Sequence, residues 1–250
     1  MSGVDLIVNA DDFGWTSGIN AGVVEAHTRG VVTSATLMVC KPAAEEAADL
    51  ARAHPMLSLG LHVDLAHWSY GDGEWAADYE RVDVEDAGAV QAEIDRQLAL
   101  FRSLVGRPPT HLDGHQHVQR SEPARSVLRE VADDLGVPLR THSPIGYCGS
   151  FFGQDRRGEP YPEALRVDAL LDLVAGLPPG WHELGCHPGL HDDAPDGYRT
   201  ERALETTVLC DPALRAGLDR RGVRLRSFAE WIDTAAGGPG RYPSTEDVQP

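Results

Sequence analysis

The chain has 250 residues, 42% of them hydrophobic, and carries 22 basic against 39 acidic side chains, a formal net charge of −17. That is apolar material for a sizeable core, while a balance this acidic, with no basic stripe, repels phosphate backbones and anionic membranes and argues against a nucleic-acid partner. Cys40, Cys148, Cys186 and Cys210 are widely spaced with no CxxC pair, which argues against a thiolate zinc site or a disulfide framework and for a reducing compartment.

The opening MSGVDLIVNADD lacks the basic flank of a signal peptide and reaches acids too soon, and no apolar run is long enough to span a bilayer. A cytoplasmic protein without a membrane span is therefore expected. "DLIVNA" (5–10) reads as a buried strand and "SGINAGVVEAHTRG" (17–30) as a helix ending at glycine. "VVTSATLMV" (31–39) is a second strand, followed by a helix opening at Pro42, and "LSLGLHV" (57–63) is a third strand. The stretch from about 66 to 83 holds Trp68, Tyr70, Trp75 and Tyr79 among glycines and acids without clear period, and reads as a long loop or lid. A helix over about 84–105 leads to "THLDGHQHV" (110–118), a strand end running into a loop, and then to a helix over 122–136. "VPLRTH" (137–142) is strand-like, 143–162 reads as a loop, 163–175 as a helix, and "HELGCHPG" (182–189) as another strand end. Beyond Thr200 the pattern is helical, with Asp211-Pro212 as a fresh N-cap and first turn. "VRLRSF" (223–228) is a last strand and 229–236 a last helix.

About seven strands, nearly all followed by helices, imply an α/β protein with a parallel sheet. The expected fold is a single-domain (β/α) barrel over 1–236, irregular or with about seven strands, with a doubly wound open sheet as the alternative. Residues 237–250 are low in apolar content and read as a disordered tail.

The residues capable of chemistry cluster where strands end. Asp11 and Asp12 follow the first, His62 and Asp64 close the third, His111, Asp113, His115 and His117 surround the fourth, and His187 closes the sixth. In a parallel barrel these ends open onto one face. Adjacent aspartates before Phe-Gly are turn and cap residues about as often as not, and a lone His62 on an apolar strand is more often a hydrogen-bonded core histidine than a ligand. Three histidines and an aspartate within seven residues are costly to bury unless they bind something. Two histidines plus a carboxylate with open coordination positions is an arrangement of metal hydrolases. Consecutive strand residues point to opposite faces, so one of the two aspartates can bind an ion while the other accepts a proton from the attacking water.

"VNADDFG", "GVVTSATLMV", "GLHVDL", "HLDGHQHV" and, more loosely, "ELGCHPG" resemble the YdjC-like carbohydrate deacetylase family, which includes chitooligosaccharide deacetylases and a deacetylase of hopanoid biosynthesis. The resemblance spans roughly residues 5–190, and "NADDFG" combined with "HLDGHQH" is its most specific part. It implies a (β/α) barrel and a divalent ion, usually magnesium, held by Asp12, His62 and His115. It further implies Asp11 as general base and His187 as the acid that protonates the leaving amine. Arg140 falls where the family often has an arginine after a strand, to contact substrate or orient a carboxylate. His117 and Trp68 are taken as substrate contacts, with Tyr70 and Trp75 able to stack on sugar faces. The chain departs from the family in having Gln119 where HxHxH ends in histidine, and "VDLAHWSYGDGEW" after "GLH".

The expected reaction is metal-assisted hydrolysis of an N-acetyl group on a mono- or oligosaccharide or a sugar-lipid. Imidazole donors suit zinc or another transition metal better than magnesium, so Mg2+ comes from the resemblance and Zn2+ is the chemical alternative. A phosphoesterase on a similar barrel would want two metals and basic groups. A non-catalytic sugar- or metal-binding protein has no need of the second aspartate. A homodimer is expected on base rate alone.

Overall fold

The computed structural model describes residues 3–71, 73–190 and 197–237. The segment read as a tail lies outside the described residues from 238 onward. In chain order the first half runs β1 (Val4–Phe13), α1 (Ser17–Thr28), β2 (Ser34–Leu37), α2 (Ala44–Ala53), β3 (Ser58–Val63), β4 (Ala66–Gly71), β5 (Glu74–Glu80) and α3 (Ala87–Val105). The second runs β6 (Leu112–Gly114), α4 (Ala124–Leu135), β7 (Gly146–Cys148), α5 (Val167–Ala175), β8 (Gly180–Cys186), α6 (Arg199–Leu209), α7 (Pro212–Arg220), β9 (Arg224–Arg226) and α8 (Phe228–Gly237).

Seven parallel strands form one sheet in the order β6-β3-β2-β1-β8-β7, with β9 also paired to β1. Among the described residues the sheet is not closed between β6 and β7, so the barrel they form is incomplete. β1 is long enough to serve three neighbours. One edge runs along β8 from Val4 to Ala10, while the other takes β9 at Asp5–Ile7 and β2 from Asn9 onward. Strand alternation divides its side chains. Leu6, Val8 and Ala10 join the main apolar core with Ile19, Val23 and Ala26 of α1, each fully buried Leu, Val or Ile contributing roughly 1.5–3 kcal/mol. Ile7 packs inside the barrel with Ile145 and Phe228 of α8. The amides of Phe228 and Ala229 donate to the Ser34 and Ser58 hydroxyls, so α8 caps the barrel's lower end and leaves the upper end for Asn9, Asp11 and Asp12.

Caps match the local sequence. The Thr16 hydroxyl accepts from the Ile19 amide at the start of α1, and Asp211 accepts from Ala213 at the start of α7. Four expectations are corrected. The stretch 66–83 is largely an antiparallel hairpin, β4–β5, whose alternation is hidden because β5 is exposed on both faces and carries no apolar stripe. "VPLRTH" makes only a single parallel bridge, Leu139 to Leu112, since Arg140 turns away into the barrel. The loop 143–162 contains β7, too short to show a period. The second strand is confined to Ser34–Leu37. Among the described residues no helix is long and apolar enough to cross a membrane.

Candidate active site

β1 carries both aspartates, and it does so through an irregularity. Its register to β2 shifts between Ala10 and Phe13, and Asp12 sits at φ 64°, a left-handed conformation that aspartate tolerates better than bulky residues. A bulge of this kind re-aims a side chain. Asp11 and Asp12 therefore both line the same cavity, of about 450 Å³.

Asp12 meets His62 from the end of β3 and His115 from the turn after β6. Asp12 Oδ1 lies 3.6 Å from His62 Nε2 and 3.3 Å from His115 Nδ1. All three side chains are buried, and their donor atoms converge on one point. The far side of each ring is occupied. His62 Nδ1 donates to Asp113 Oδ1 at 2.7 Å, and His115 Nε2 is paired with His67 Nδ1 at 2.8 Å. Tying down one ring nitrogen leaves the other's lone pair for an ion, the arrangement common to ligating histidines. Arg202 Nη2 donates to Asp12 Oδ2 at 2.7 Å, leaving Oδ1 for the cluster. Burial opposes ionisation of Asp12, but Arg202, His115 and His62 outweigh it and hold the carboxyl well below its usual range. Burial would push His62 down, yet the carboxylates of Asp113, Asp11 and Asp12 raise it to about 9. This donor set of one carboxylate and two oriented imidazoles fits a divalent ion.

Asp11 is held differently. Arg140 Nη1 and Nη2 donate to its two oxygens at 2.7 Å each, and Asn9 Nδ2 donates to Oδ1 at 2.9 Å. Arg140 also donates to Glu183 Oε1 through Nε at 2.8 Å and contacts Asp113 Oδ2 at 2.7 Å. Its charge outweighs burial and keeps the Asp11 carboxyl far below the ordinary value, whereas at Glu183 burial dominates and raises the carboxyl to about 7. A second convergence of ligand atoms, Asp11, His62 and Asp113, thus already contains a guanidinium on two of its three members. Arg140 is buried and is not part of the cavity lining. Of the two roles read for it, the observed contacts are those of a group that holds the Asp11 carboxylate.

His187 follows β8, and its Nε2 lies 3.8 Å from Asp11 Oδ2. A close approach places this segment, because a Cβ on Gly22 would fall 2.3 Å from the Gly189 Cα. The His187 amide donates to Glu205 Oε2. Burial lowers its basicity, but the Glu205 carboxylate and Asp11 raise it above the usual imidazole range. His117, at φ 59°, lines the cavity edge-on to Tyr147. Burial and Arg140 push it down to about 4, so it is neutral. Trp68, Tyr70 and Trp75 of the hairpin line the cavity together with Phe152, Tyr147 and Tyr198.

Two strand-end residues lie elsewhere. His111 is a core histidine, stacked on Phe228 at 3.7 Å between centroids and bonded through Nε2 to Asn9 Oδ1 at 2.9 Å. Burial and then Arg140 hold it well below the usual imidazole range. Asp64 accepts from the Tyr79 hydroxyl at 2.7 Å and Arg81 Nε at 2.9 Å, anchoring the hairpin. Sequence reading missed Arg202, Glu205 and His67. The first two lie on α6, about 190 residues from Asp12, with no motif of their own. Glu183 sat inside the quoted "HELGCHPG", and its neighbours in that motif were the available signal.

The family model described as YdjC-like protein matches residues 5–220. A carbohydrate deacetylase of Geobacillus stearothermophilus is 35% identical over 90% of this chain and 97% of its own length. A chitooligosaccharide deacetylase of Serratia marcescens is 33% identical over 90% of this chain and 98% of its own. Among solved structures, a protein of Enterococcus faecalis V583 described as a cellobiose-phosphate cleavage protein superposes with a TM-score of 0.74. It is 26% identical and is matched over 92% of this chain and 99% of that one.

Proposed function

This chain belongs to the YdjC-like protein family, and from that premise we propose that it is a carbohydrate deacetylase, hydrolysing the N-acetyl group of an amino sugar with the help of one divalent ion. Asp12, His62 and His115 would hold the ion, which when bound supplies polarisation of the acetyl carbonyl and a water of lowered pKa. Magnesium rests on the family resemblance, zinc on the two imidazole donors.

The observation that carries the reading is the lone-pair inventory of Asp11. Its Oδ1 already accepts from Arg140 and Asn9, whereas Oδ2 accepts one bond from Arg140. A carboxylate oxygen has two lone pairs, so Oδ2 keeps one, on the side of His187. That atom takes the proton of the attacking water. The Arg140 and Asn9 bonds fix it in place beforehand, so no reorganisation is needed when charge develops. His187, across from Oδ2 and made more basic by the Glu205 carboxylate, delivers a proton to the departing nitrogen. The aromatic lining accommodates the apolar faces of a sugar ring, with Trp68 contributed by the hairpin.

A two-metal phosphoesterase is disfavoured because the second ligand convergence holds Arg140. The test is acetate release by metal-stripped protein from a panel of N-acetylated sugars, from monomers to chitin oligomers and N-acetylglucosaminyl lipids, with and without added Mg2+ or Zn2+. Metal-dependent acetate is the expected result. Folded, ion-loaded protein that releases phosphate from sugar phosphates, and no acetate, sinks the proposal.

A further inference from the structure

The β4–β5 hairpin does more than wall the cavity. Its His67 is buried, and its ring lies nearly parallel to that of His115, with centroids 5.1 Å apart and planes at 20°, side by side as an in-plane hydrogen bond requires. Trp15 meets both rings edge-on, at 5.4 and 5.2 Å. The hydrogen bond between His67 Nδ1 and His115 Nε2 is 2.8 Å long. Because His115 turns Nδ1 toward Asp12, coordination through Nδ1 requires the His115 proton on Nε2. His67 Nδ1 must then accept it, which puts the His67 proton on Nε2, 3.4 Å from Asp78 Oδ2 on β5. The next residue pair repeats the junction. Gln116 accepts from the Trp68 amide at 2.9 Å and donates to the Trp68 carbonyl at 2.7 Å, as a strand would.

We infer that His67 is a positioning residue for the ion: it fixes His115 in the Nδ1-coordinating tautomer, so that ion binding and docking of the aromatic hairpin stabilise one another. The inference rests on the reading of Asp12, His62 and His115 as ligands. Coupling of this kind is reciprocal by thermodynamic necessity. An occupied site tightens the wall that receives the sugar, and a loosened hairpin weakens the site.

The test uses full-length protein and Zn2+ alone, with no sugar present. His67→Phe keeps an aromatic ring against Trp15 and Tyr79 and removes the acceptor, and should weaken Zn2+ binding by ~10–100-fold in a competition titration against a chromophoric chelator. His67→Asn returns an acceptor oxygen and should recover most of the loss, which a purely structural role for the ring would not predict. Added Zn2+ should slow amide exchange across 66–80 in the natural protein and much less in His67→Phe. If His67→Phe does not fold, Gln116→Ala, which frees the hairpin without touching either histidine, should both speed exchange there and weaken Zn2+ binding. The inference is overturned by His67→Phe binding Zn2+ as the natural protein does, by loss without rescue in His67→Asn, by faster hairpin exchange in Gln116→Ala at unchanged affinity, or by a natural protein that binds no Zn2+. Natural protein whose Zn2+ affinity depends on His67 as described yet releases no acetate defeats the deacetylase reading and leaves this one standing.

Discussion

Replacing Arg140 by methionine tests the electrostatics beneath the site. The guanidinium makes contacts of 2.6–2.8 Å with Asp11, Asp113 and Glu183 and is itself buried. Adding these up at the ~1.5–3 kcal/mol of a charged hydrogen bond overshoots, because carboxylates left without a cation can escape by taking up protons. Breaking a buried pair costs ~3–5 kcal/mol, and that is the expected loss near pH 8, where neutralisation is hardest. The sign with pH follows from linkage. In Arg140→Met the folded carboxyls have raised pKa values and bind more protons than the unfolded chain, so stability falls as pH rises. Glu183, already at about 7 beside Arg140, is the first to neutralise. Urea unfolding of both proteins without metal, near pH 5.5 and near pH 8, should show a deficit that is smaller at the lower pH. A deficit below ~1 kcal/mol at both, or one equal at both, would refute the view that Arg140 is the counter-charge of this buried carboxyl cluster.

Asp11→Asn should bind Zn2+ as the natural protein does and lose ~100-fold or more in turnover of whichever sugar is a substrate, through loss of the proton acceptor; undiminished acetate release removes Asp11 from the role of base. Asp12→Ala should lose ion binding outright by calorimetry with far-UV circular dichroism retained, since it deletes the only carboxylate of the donor set. Metal-free protein should lose stability as pH rises, because His62 goes from 6.5 unfolded to about 9 folded. That contribution, on the order of 3 kcal/mol, is complete below the unfolded pKa and gone above the folded one. Saturating Zn2+ should flatten the dependence, and denaturant melts between about pH 6 and 9.5 that are flat without metal count against it. Gly60→Ala puts a Cβ 2.6 Å from the His111 ring and should cost ~1–3 kcal/mol by chemical denaturation, as overpacking does; a neutral result means the ring has room to move.

Much of this protein follows from local order in the chain. Alternation of apolar runs and helical periods set out six of the seven strands of the main sheet and their parallel sense, because each strand buries itself by period and each helix must cross back over the sheet. The motifs at strand ends point to Asp11, Asp12, His62 and His115 as neighbours, because a parallel sheet sends all those ends to one face. Local pattern could not reach what depends on side chains arriving from afar. Nothing near "VPLRTH" says that Arg140 leaves the strand to neutralise three carboxylates, or that α6 delivers Arg202 to Asp12 across 190 residues. The same applies to His111 and His115, four residues apart in one motif. One stacks on α8 as core and the other faces the cavity, because only the folded chain decides which way each strand-end residue turns. The hairpin was hidden for a different reason. β5 is exposed at all but Tyr79 and β4 buries only His67, too little to impress a period on the sequence, and it is the tertiary junction through His67 and Gln116 that ties the hairpin to the site.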